Sequence, residues 1–182
     1  MQATIHNEFL TLTVDTHGAE AVSLKNAAGE EMLWQADPAI WKRHAPILFP
    51  WTGKLTGGTF TANGKTYKGG QHGFARDVEH TLVRVDEHEI VMELRSSPEL
   101  KETWFPFEFV LTSMFRLEGK TIHHTLTVEN PGQEELRFGI GFHPAFNIPF
   151  DDCHTTEDYE FRFDQPESPV IIDARPHGLL SG

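Results

Sequence analysis

The sequence has almost no cysteine. Cys153 is the only one, so an internal disulfide is impossible, and a reducing compartment is the natural location for such a chain. The sequence also lacks a basic segment followed by an apolar run near its start, and it lacks any apolar stretch long enough to span a bilayer. We therefore predict a cytoplasmic protein that has no membrane partner.

Positive charge is scarce as well. Lys and Arg total 15 against 27 Asp and Glu, which gives a formal net charge of −12. Proteins that bind nucleic acid or anionic membranes rely on basic patches, so this balance disfavours both partners. A neutral ligand such as a sugar is compatible with it, although the charge does not identify a substrate.

Several catalytic and metal-binding patterns are also missing. The sequence contains no G-x-S-x-G nucleophile motif, and no phosphate-binding loop follows Gly57-Gly58. The 11 histidines are scattered without metal-ligand spacing, and the adjacent His123 and His124 face opposite sides of a predicted strand. We therefore predict no metal site and no cofactor, and we disfavour a hydrolase.

What the sequence does contain is period-two alternation of apolar and polar residues, which is typical of strands with one buried face. Three runs show it most clearly: Glu89–Arg95 (Ile90, Met92 and Leu94 inward), 107–117 (Phe107, Phe109, Leu111, Phe115 and Leu117 inward) and Thr121–Glu129 (Ile122, Leu126 and Val128 inward). Asn63-Gly64, between two further short runs, predicts a type I′ hairpin. The pattern predicts an all-β sandwich of antiparallel sheets.

Helical patterns are nearly absent. Only residues 37–41 predict a short helical turn, with Asp37 as the cap and Pro38 at the first position. The sequence shows no internal repeat, linker or low-complexity stretch. We therefore expect residues 1–182 to form a single domain.

Three segments do not alternate and are rich in Gly, Pro and aromatic residues, namely 44–54, 69–77 and 139–147. Pro removes a ladder donor and Gly allows close backbone approach, so we expect poor regular strands here and loops that position functional side chains. A sugar site needs aromatic surface and a few directed polar groups. These segments contain both: Trp51, Phe74, Phe142 and Phe146 lie beside Gln71, His72, Arg76, His143 and Asn147. The alternative is that each His is a hydrogen-bonded core residue and that the glycines only serve turns.

The motifs of these segments resemble those of the aldose 1-epimerase family. They are P-I-L-F-P…G-K at 46–54, Q-H-G-F-A-R-D at 71–77 and G-F-H-P…F-N at 141–147, and the most similar branch is the LacX-like proteins and hexose-6-phosphate mutarotases. The resemblance covers essentially the whole chain. It implies a galactose mutarotase-like β-supersandwich of antiparallel sheets that binds an aldohexose or a hexose phosphate in a shallow cleft.

The resemblance also implies roles for individual residues. His143 matches the general acid that protonates the ring oxygen of the sugar, and His72 matches the histidine that hydrogen-bonds and positions it. Gln71 and Arg76 match substrate-contacting positions, where Arg can fork onto a phosphate. Asn147 closes the last motif, and we expect it to bind substrate too. Lys54 stands where the family has Arg, so it keeps the charge but loses the bidentate fork.

The catalytic Glu of the family is not found in this sequence. Residues 176–182 read like the middle of a loop, so we expect the domain to lack its C-terminal part, including that Glu. Three hypotheses stay open: an active mutarotase, a non-catalytic carbohydrate-binding or sugar-sensing module, and a fragment that completes its sheets as a homodimer.

Overall fold

The computed structural model describes residues 1–166 and 168, so the predicted terminal loop at 176–182 lies outside the described residues. The strands of the described part are numbered in chain order: β1 (Gln2–His6), β2 (Leu10–Asp15), β3 (Glu20–Asn26), β4 (Ile47–Leu48), β5 (Thr59–Ala62), β6 (Lys65–Lys68), β7 (Thr81–Val85), β8 (Glu89–Arg95), β9 (Val110–Glu118), β10 (Thr121–Glu129) and β11 (Gly141–Phe142). One short α-helix, α1 (Pro98–Thr103), accompanies them in this part of the chain, together with 3₁₀ turns at Thr56–Gly58, Ala75–Asp77 and Thr156–Asp158.

Two antiparallel sheets make up most of this architecture. Strands β1, β2 and β3 form a meander, and β10, β9, β8 and β7 form a four-stranded sheet in that order. A core cluster joins the two sheets, because Leu12 and Val14 of the first belong to the same buried cluster as Ile90, Met92 and Phe115 of the second. The all-β prediction is confirmed.

The bounds of β8 and β10 match the sequence pattern, and the predicted alternation holds in full on β8, whereas the inward residues of β10 are only partly buried. For the run 107–117 the predicted start of the strand is wrong, because β9 starts at Val110 and not at Phe107. Pro106 has no N–H to give to a ladder, and the chain before β9 instead turns so that Phe105 and Phe109 are buried in a second, aromatic cluster.

Helix α1 was not predicted, so the expectation of a single helical turn is wrong. Its signal is present in the sequence: the Ser97 side chain accepts a hydrogen bond from the Leu100 N–H, and Pro98 occupies the first turn. The predicted turn at 37–41 is confirmed, since Asp37 O accepts from the N–H groups of Ile40 and Trp41 at 3.0 and 2.8 Å. No helix among residues 1–166 and 168 is long and apolar enough to cross a membrane.

The predicted hairpin at Asn63-Gly64 is confirmed. These two residues connect β5 to β6, and their φ angles of 49° and 74° are both positive. A type I′ turn requires that combination, and Asn and Gly tolerate it better than other residues.

Candidate functional site

The three non-alternating segments come together in space. Strand β4, from the first segment, pairs with β11, from the third, and Phe49 forms an isolated parallel bridge with Gly73 of the second. As predicted, none of them forms a long regular strand. Their backbones hold one another, and the aromatic cluster containing Phe49, Phe74 and Phe109 lies beneath them.

Gly73 explains why the first two segments approach so closely. Its φ is +72°, and a Cβ atom built there would lie 2.0 Å from the Phe49 carbonyl oxygen. The N–H of Phe74 donates to that same oxygen at 3.0 Å. No side chain fits at position 73, so glycine is required for this contact.

His72 is clamped by one residue of the neighbouring segment. Its backbone N–H donates to Gly53 O at 2.8 Å, and the Gly53 N–H donates to His72 Nδ1 at 2.9 Å. Its φ of 66° is rare for a residue other than glycine. Burial lowers the pKa of His72, and the charges of Arg76, His143 and Arg43 lower it further.

His143 lies next to His72, although 71 residues separate the two in sequence. Their ring centroids are 6.0 Å apart and their planes make an angle of 72°. The His143 ring also contacts Trp41, and the centroids of these two rings are 4.9 Å apart. The His143 side chain is exposed, and the backbone N–H of this residue donates to Pro46 O at 3.2 Å. The structure therefore brings the two predicted histidines together.

Arg76 lies in the short 3₁₀ turn Ala75–Asp77 that follows His72. Its Nη2 donates to Gln71 O at 2.7 Å, and its Nε is buried without a hydrogen-bond partner among the described residues. Burial lowers the pKa of Arg76, and so does the neighbouring charge of Arg43. Arg43 pairs with Asp77 and also donates to Arg76 O, so two guanidinium groups lie near the histidines.

Glu20 and Arg43 are site neighbours that sequence reasoning missed. Glu20 is 7% exposed, and its Oε1 accepts the N–H groups of His44 and Ala45 at 2.6 and 2.9 Å. Its negative charge acts on Arg76 and opposes the lowering of that pKa. The sequence gives no signal for Glu20, because its burial and its donors 24 and 25 residues away are set by the fold.

The remaining predicted site residues lie in different surroundings. Asn147 donates its side-chain amide to Leu33 O at 2.7 Å, which ties its segment to the backbone beside β3. Lys54 is exposed and makes no hydrogen bond or ion pair within the described part of the chain. Gln71 is exposed, and its terminal amide lies 3.2 Å from His72 Nε2. The substrate-binding roles of these three residues stay predictions.

The predicted aromatic surface divides into two pairs. Phe74 is buried in the core, and Trp51 packs on Phe60 while its Nε1 donates to Gly70 O at 2.8 Å. Phe142 and Phe146, by contrast, are about half exposed and line an apolar groove of about 320 Å³ beside His143. Only the second pair presents aromatic surface to a ligand.

The histidine pair His123-His124 faces opposite ways, as predicted. His124 is stacked on Phe115 with ring centroids 3.9 Å apart and hydrogen-bonds Ser113, whereas His123 lies 3.3 Å from the Glu118 carboxylate on the other face. Burial lowers the pKa of His124 to about 4. Within residues 1–166 and 168, no group of three His, Cys, Asp or Glu side chains is arranged to hold a metal ion.

Comparisons with known proteins agree with this geometry. Residues 1–178 match the family model for aldose 1-epimerase. The chain is 35% identical to the chromosomal LacX protein of Lactococcus lactis subsp. lactis over 99% of its own length and 62% of the relative's. It therefore spans about three fifths of the length of the curated relatives that it matches.

Two solved structures are similar in fold. A galactose mutarotase related enzyme from Lactobacillus acidophilus superimposes with a TM-score of 0.81 at 38% identity, over 87% of this chain and 53% of that one. A galactose mutarotase-like protein from Lactobacillus casei does so with a TM-score of 0.77 at 35% identity, over 81% and 50%. The fold is therefore galactose mutarotase-like.

Proposed function

Because the chain belongs to the aldose 1-epimerase family, we propose that it is an aldose 1-epimerase that interconverts the α and β anomers of an aldohexose or a hexose 6-phosphate. The observation that carries the proposal is the pairing of His72 and His143, with ring centroids 6.0 Å apart. Trp41 and the half-exposed Phe142 supply apolar surface on either side of His143 for the C–H faces of a pyranose.

The reaction needs two proton transfers at neighbouring oxygens. A base removes the proton from the O1 hydroxyl while an acid donates a proton to O5, and the C1–O5 bond breaks to give the open-chain aldehyde. Rotation about C1–C2 and the reverse transfers close the ring on the opposite face of C1. We assign the acid role to His143, because an imidazole can carry and release a proton and this ring is exposed to an incoming sugar.

We propose that Arg76 and Gln71 contact the substrate on the His72 side of the site. Arg76 carries a buried Nε that makes no hydrogen bond within the described residues and lies 3.7 Å from the Asp77 carboxylate, with which Arg43 also pairs. Two guanidinium groups favour an anionic group over a neutral hydroxyl, so this arrangement supports a phosphorylated hexose. We also propose that Lys54 and Asn147, which are polar residues of the two neighbouring segments, contact the substrate.

Exchange NMR or polarimetry on freshly dissolved α-glucose, α-galactose and glucose 6-phosphate tests the activity. We expect acceleration over a buffer blank, which is needed because mutarotation also proceeds without enzyme. If the rates of all three sugars equal the blank, the catalytic proposal is wrong.

A second candidate function is a non-catalytic carbohydrate-binding or sugar-sensing module of the same fold. It is favoured by one observation: among the described residues, no carboxylate forms an ion pair with either His72 or His143. The nearby carboxylate of Glu20 is already occupied by two backbone N–H groups. Calorimetric sugar binding without any anomerase activity would support this candidate.

Assembly and location form the last part of the proposal. Among residues 1–166 and 168, strand β10 lies at the edge of its sheet, and an unpaired edge favours association, so we propose a homodimer. A monomeric mass by light scattering would contradict it.

We also propose a cytoplasmic location, since the single cysteine suits a reducing compartment. Fractionation of cells that express a tagged chain checks this.

A further inference from the structure

His72 has two ring nitrogens in different chemical surroundings, and this difference determines where its proton lies. The Gly53 N–H, a backbone donor that cannot change its role, points at Nδ1 from 2.9 Å. An N–H group cannot donate to another N–H group, so Nδ1 carries no proton. A neutral imidazole has one proton, and it must therefore lie on Nε2.

The orientation of the neighbouring Gln71 amide depends on this tautomer. In the structure its Nε2 atom lies 3.2 Å from His72 Nε2, so two nitrogens face each other. Two N–H donors cannot bond to each other, so with a proton on His72 Nε2 the amide has to rotate by 180° and present its oxygen to the ring. Gln71 then accepts a hydrogen bond in the free protein, and an oxygen atom of a ligand replaces it on binding.

We propose that Gly53 locks His72 as the Nε2–H tautomer in the free protein, so that the hydrogen-bond donor that the ring presents to a ligand oxygen is fixed before binding. The inference rests on the proposed sugar-binding function for the identity of the ligand, but the tautomer itself belongs to the free protein. The same lock makes Gly53 a positioning residue, since it accepts from the His72 N–H as well as donating to Nδ1.

The surroundings of the ring support a neutral donor. Arg76 and Arg43 are positively charged, and His143 adds a second titratable ring, so a proton added to His72 meets only like charge among these neighbours. A proton on Nδ1 would also face the Gly53 N–H, and two N–H groups at this distance repel each other. Both effects disfavour the imidazolium form, and burial acts in the same direction on the pKa.

The first experiment reads the tautomer without any ligand. Long-range ¹H–¹⁵N correlation spectra of the ¹⁵N-histidine-labelled protein at neutral pH report which ring nitrogen is protonated, and a His72→Asn spectrum assigns the signal. We expect Nε2 to be protonated and Nδ1 to be bare. Protonation of Nδ1, alone or together with Nε2, would overturn the proposal.

The second experiment separates the two nitrogens by substitution. In His72→Asn the amide oxygen can replace Nδ1 as the acceptor for Gly53, but the donor toward the ligand is lost. In His72→Gln the amide NH₂ group can replace Nε2–H, but the acceptor for Gly53 is lost. We expect calorimetric sugar affinity to fall by about tenfold in the Asn variant and by less in the Gln variant.

Backbone strain predicts the opposite order, which makes the pair of variants decisive. His72 has a φ of 66°, and Asn tolerates this region better than Gln does. A purely structural role for His72 would therefore leave the Asn variant the better binder, and that result would contradict the proposal. If the unmodified protein binds none of glucose, galactose or glucose 6-phosphate, the proposed function is wrong, while the NMR spectrum still decides the tautomer.

Discussion

The two histidine-bearing segments of the site are built very differently. The segment 69–77 is embedded: Gly73, Phe74 and Ala75 are buried, and His72 is clamped through both its backbone and its ring. The segment 139–147 is held by a two-residue strand pairing and a few backbone hydrogen bonds, and its aromatic side chains are about half exposed. Similar motifs in the sequence thus lead to one rigid wall and one open wall.

This difference has a physical consequence for the proposed reaction. A group that only orients a ligand benefits from preorganisation, because its rotamer entropy has been lost before binding. A group that exchanges a proton with the ligand has to be reachable by it. His72 on the embedded wall suits the first task, and His143 on the open wall suits the second.

The comparison is tested most strongly by truncating one phenylalanine in each wall. Phe74 is 1% exposed and Phe142 is 52% exposed. We expect Phe74→Ala to lower the free energy of unfolding by about 3–5 kcal/mol, because it leaves a cavity in the aromatic cluster. Phe142→Ala should cost about 1 kcal/mol or less. Urea unfolding followed by tryptophan fluorescence measures both, and equal losses would contradict the distinction.

Acidic pH should weaken the region beneath the open wall. His124 lies under Phe142, with ring centroids 4.8 Å apart, and its pKa is lowered from 6.5 to about 4 by burial. The unfolded chain therefore binds this proton first as the pH falls, so stability is retained above about pH 6.5 and lost progressively towards pH 4. The loss from this group is on the order of 3 kcal/mol.

Urea unfolding at a series of pH values measures this loss. His124→Leu should remove most of the slope between pH 6.5 and 4, and the difference from the unmodified protein isolates His124 from the other groups, including the buried His80. An unchanged slope in the variant would show that His124 does not titrate as described.

His143→Ala tests the proposed chemical role of the open wall. We expect the anomerase rate to fall by about a hundredfold or more, since a general acid typically contributes that much, while the thermal midpoint stays unchanged because the side chain is exposed. His123, a partly exposed histidine on the far face of β10, provides the matched control, and His123→Ala should keep full activity. Full activity in His143→Ala would remove it from the mechanism.

The smallest expected effect concerns the anchor of the first segment. Glu20→Ala leaves the N–H groups of His44 and Ala45 without their acceptor, and we expect a loss of about 1–3 kcal/mol in the free energy of unfolding. Glu20→Gln keeps an acceptor oxygen and should lose less. If the two variants are equally destabilised, charge rather than hydrogen bonding is what Glu20 contributes.

The sequence predicted the sheets better than the loops for a simple reason. On β8 and β10 apolar residues alternate with polar ones because one face of each strand packs toward the core. Such a pattern can be recognised from residues that are close together in the chain. Local patterns failed around β9, where Pro106 and the aromatic cluster displace the start of the strand. They are also weak at α1, where Ser97 and Pro98 are the only local signals for a six-residue helix. The likeness to aldose 1-epimerases singled out His72 and His143, whose rings lie near each other in the fold, and their spacing in the chain alone could not have done so.

By itself, therefore, the sequence determined the all-β class, the type I′ turn at Asn63-Gly64 and the motifs that carry the family likeness, because each of these depends on residues close together in the chain. Only the tertiary structure decided that Gly53 locks the His72 ring, that Glu20 anchors His44 and Ala45, and that Phe74 is core while Phe142 is surface. Those features depend on hydrogen bonds and burial between residues far apart in sequence, and they exist only once the backbones of the three segments meet.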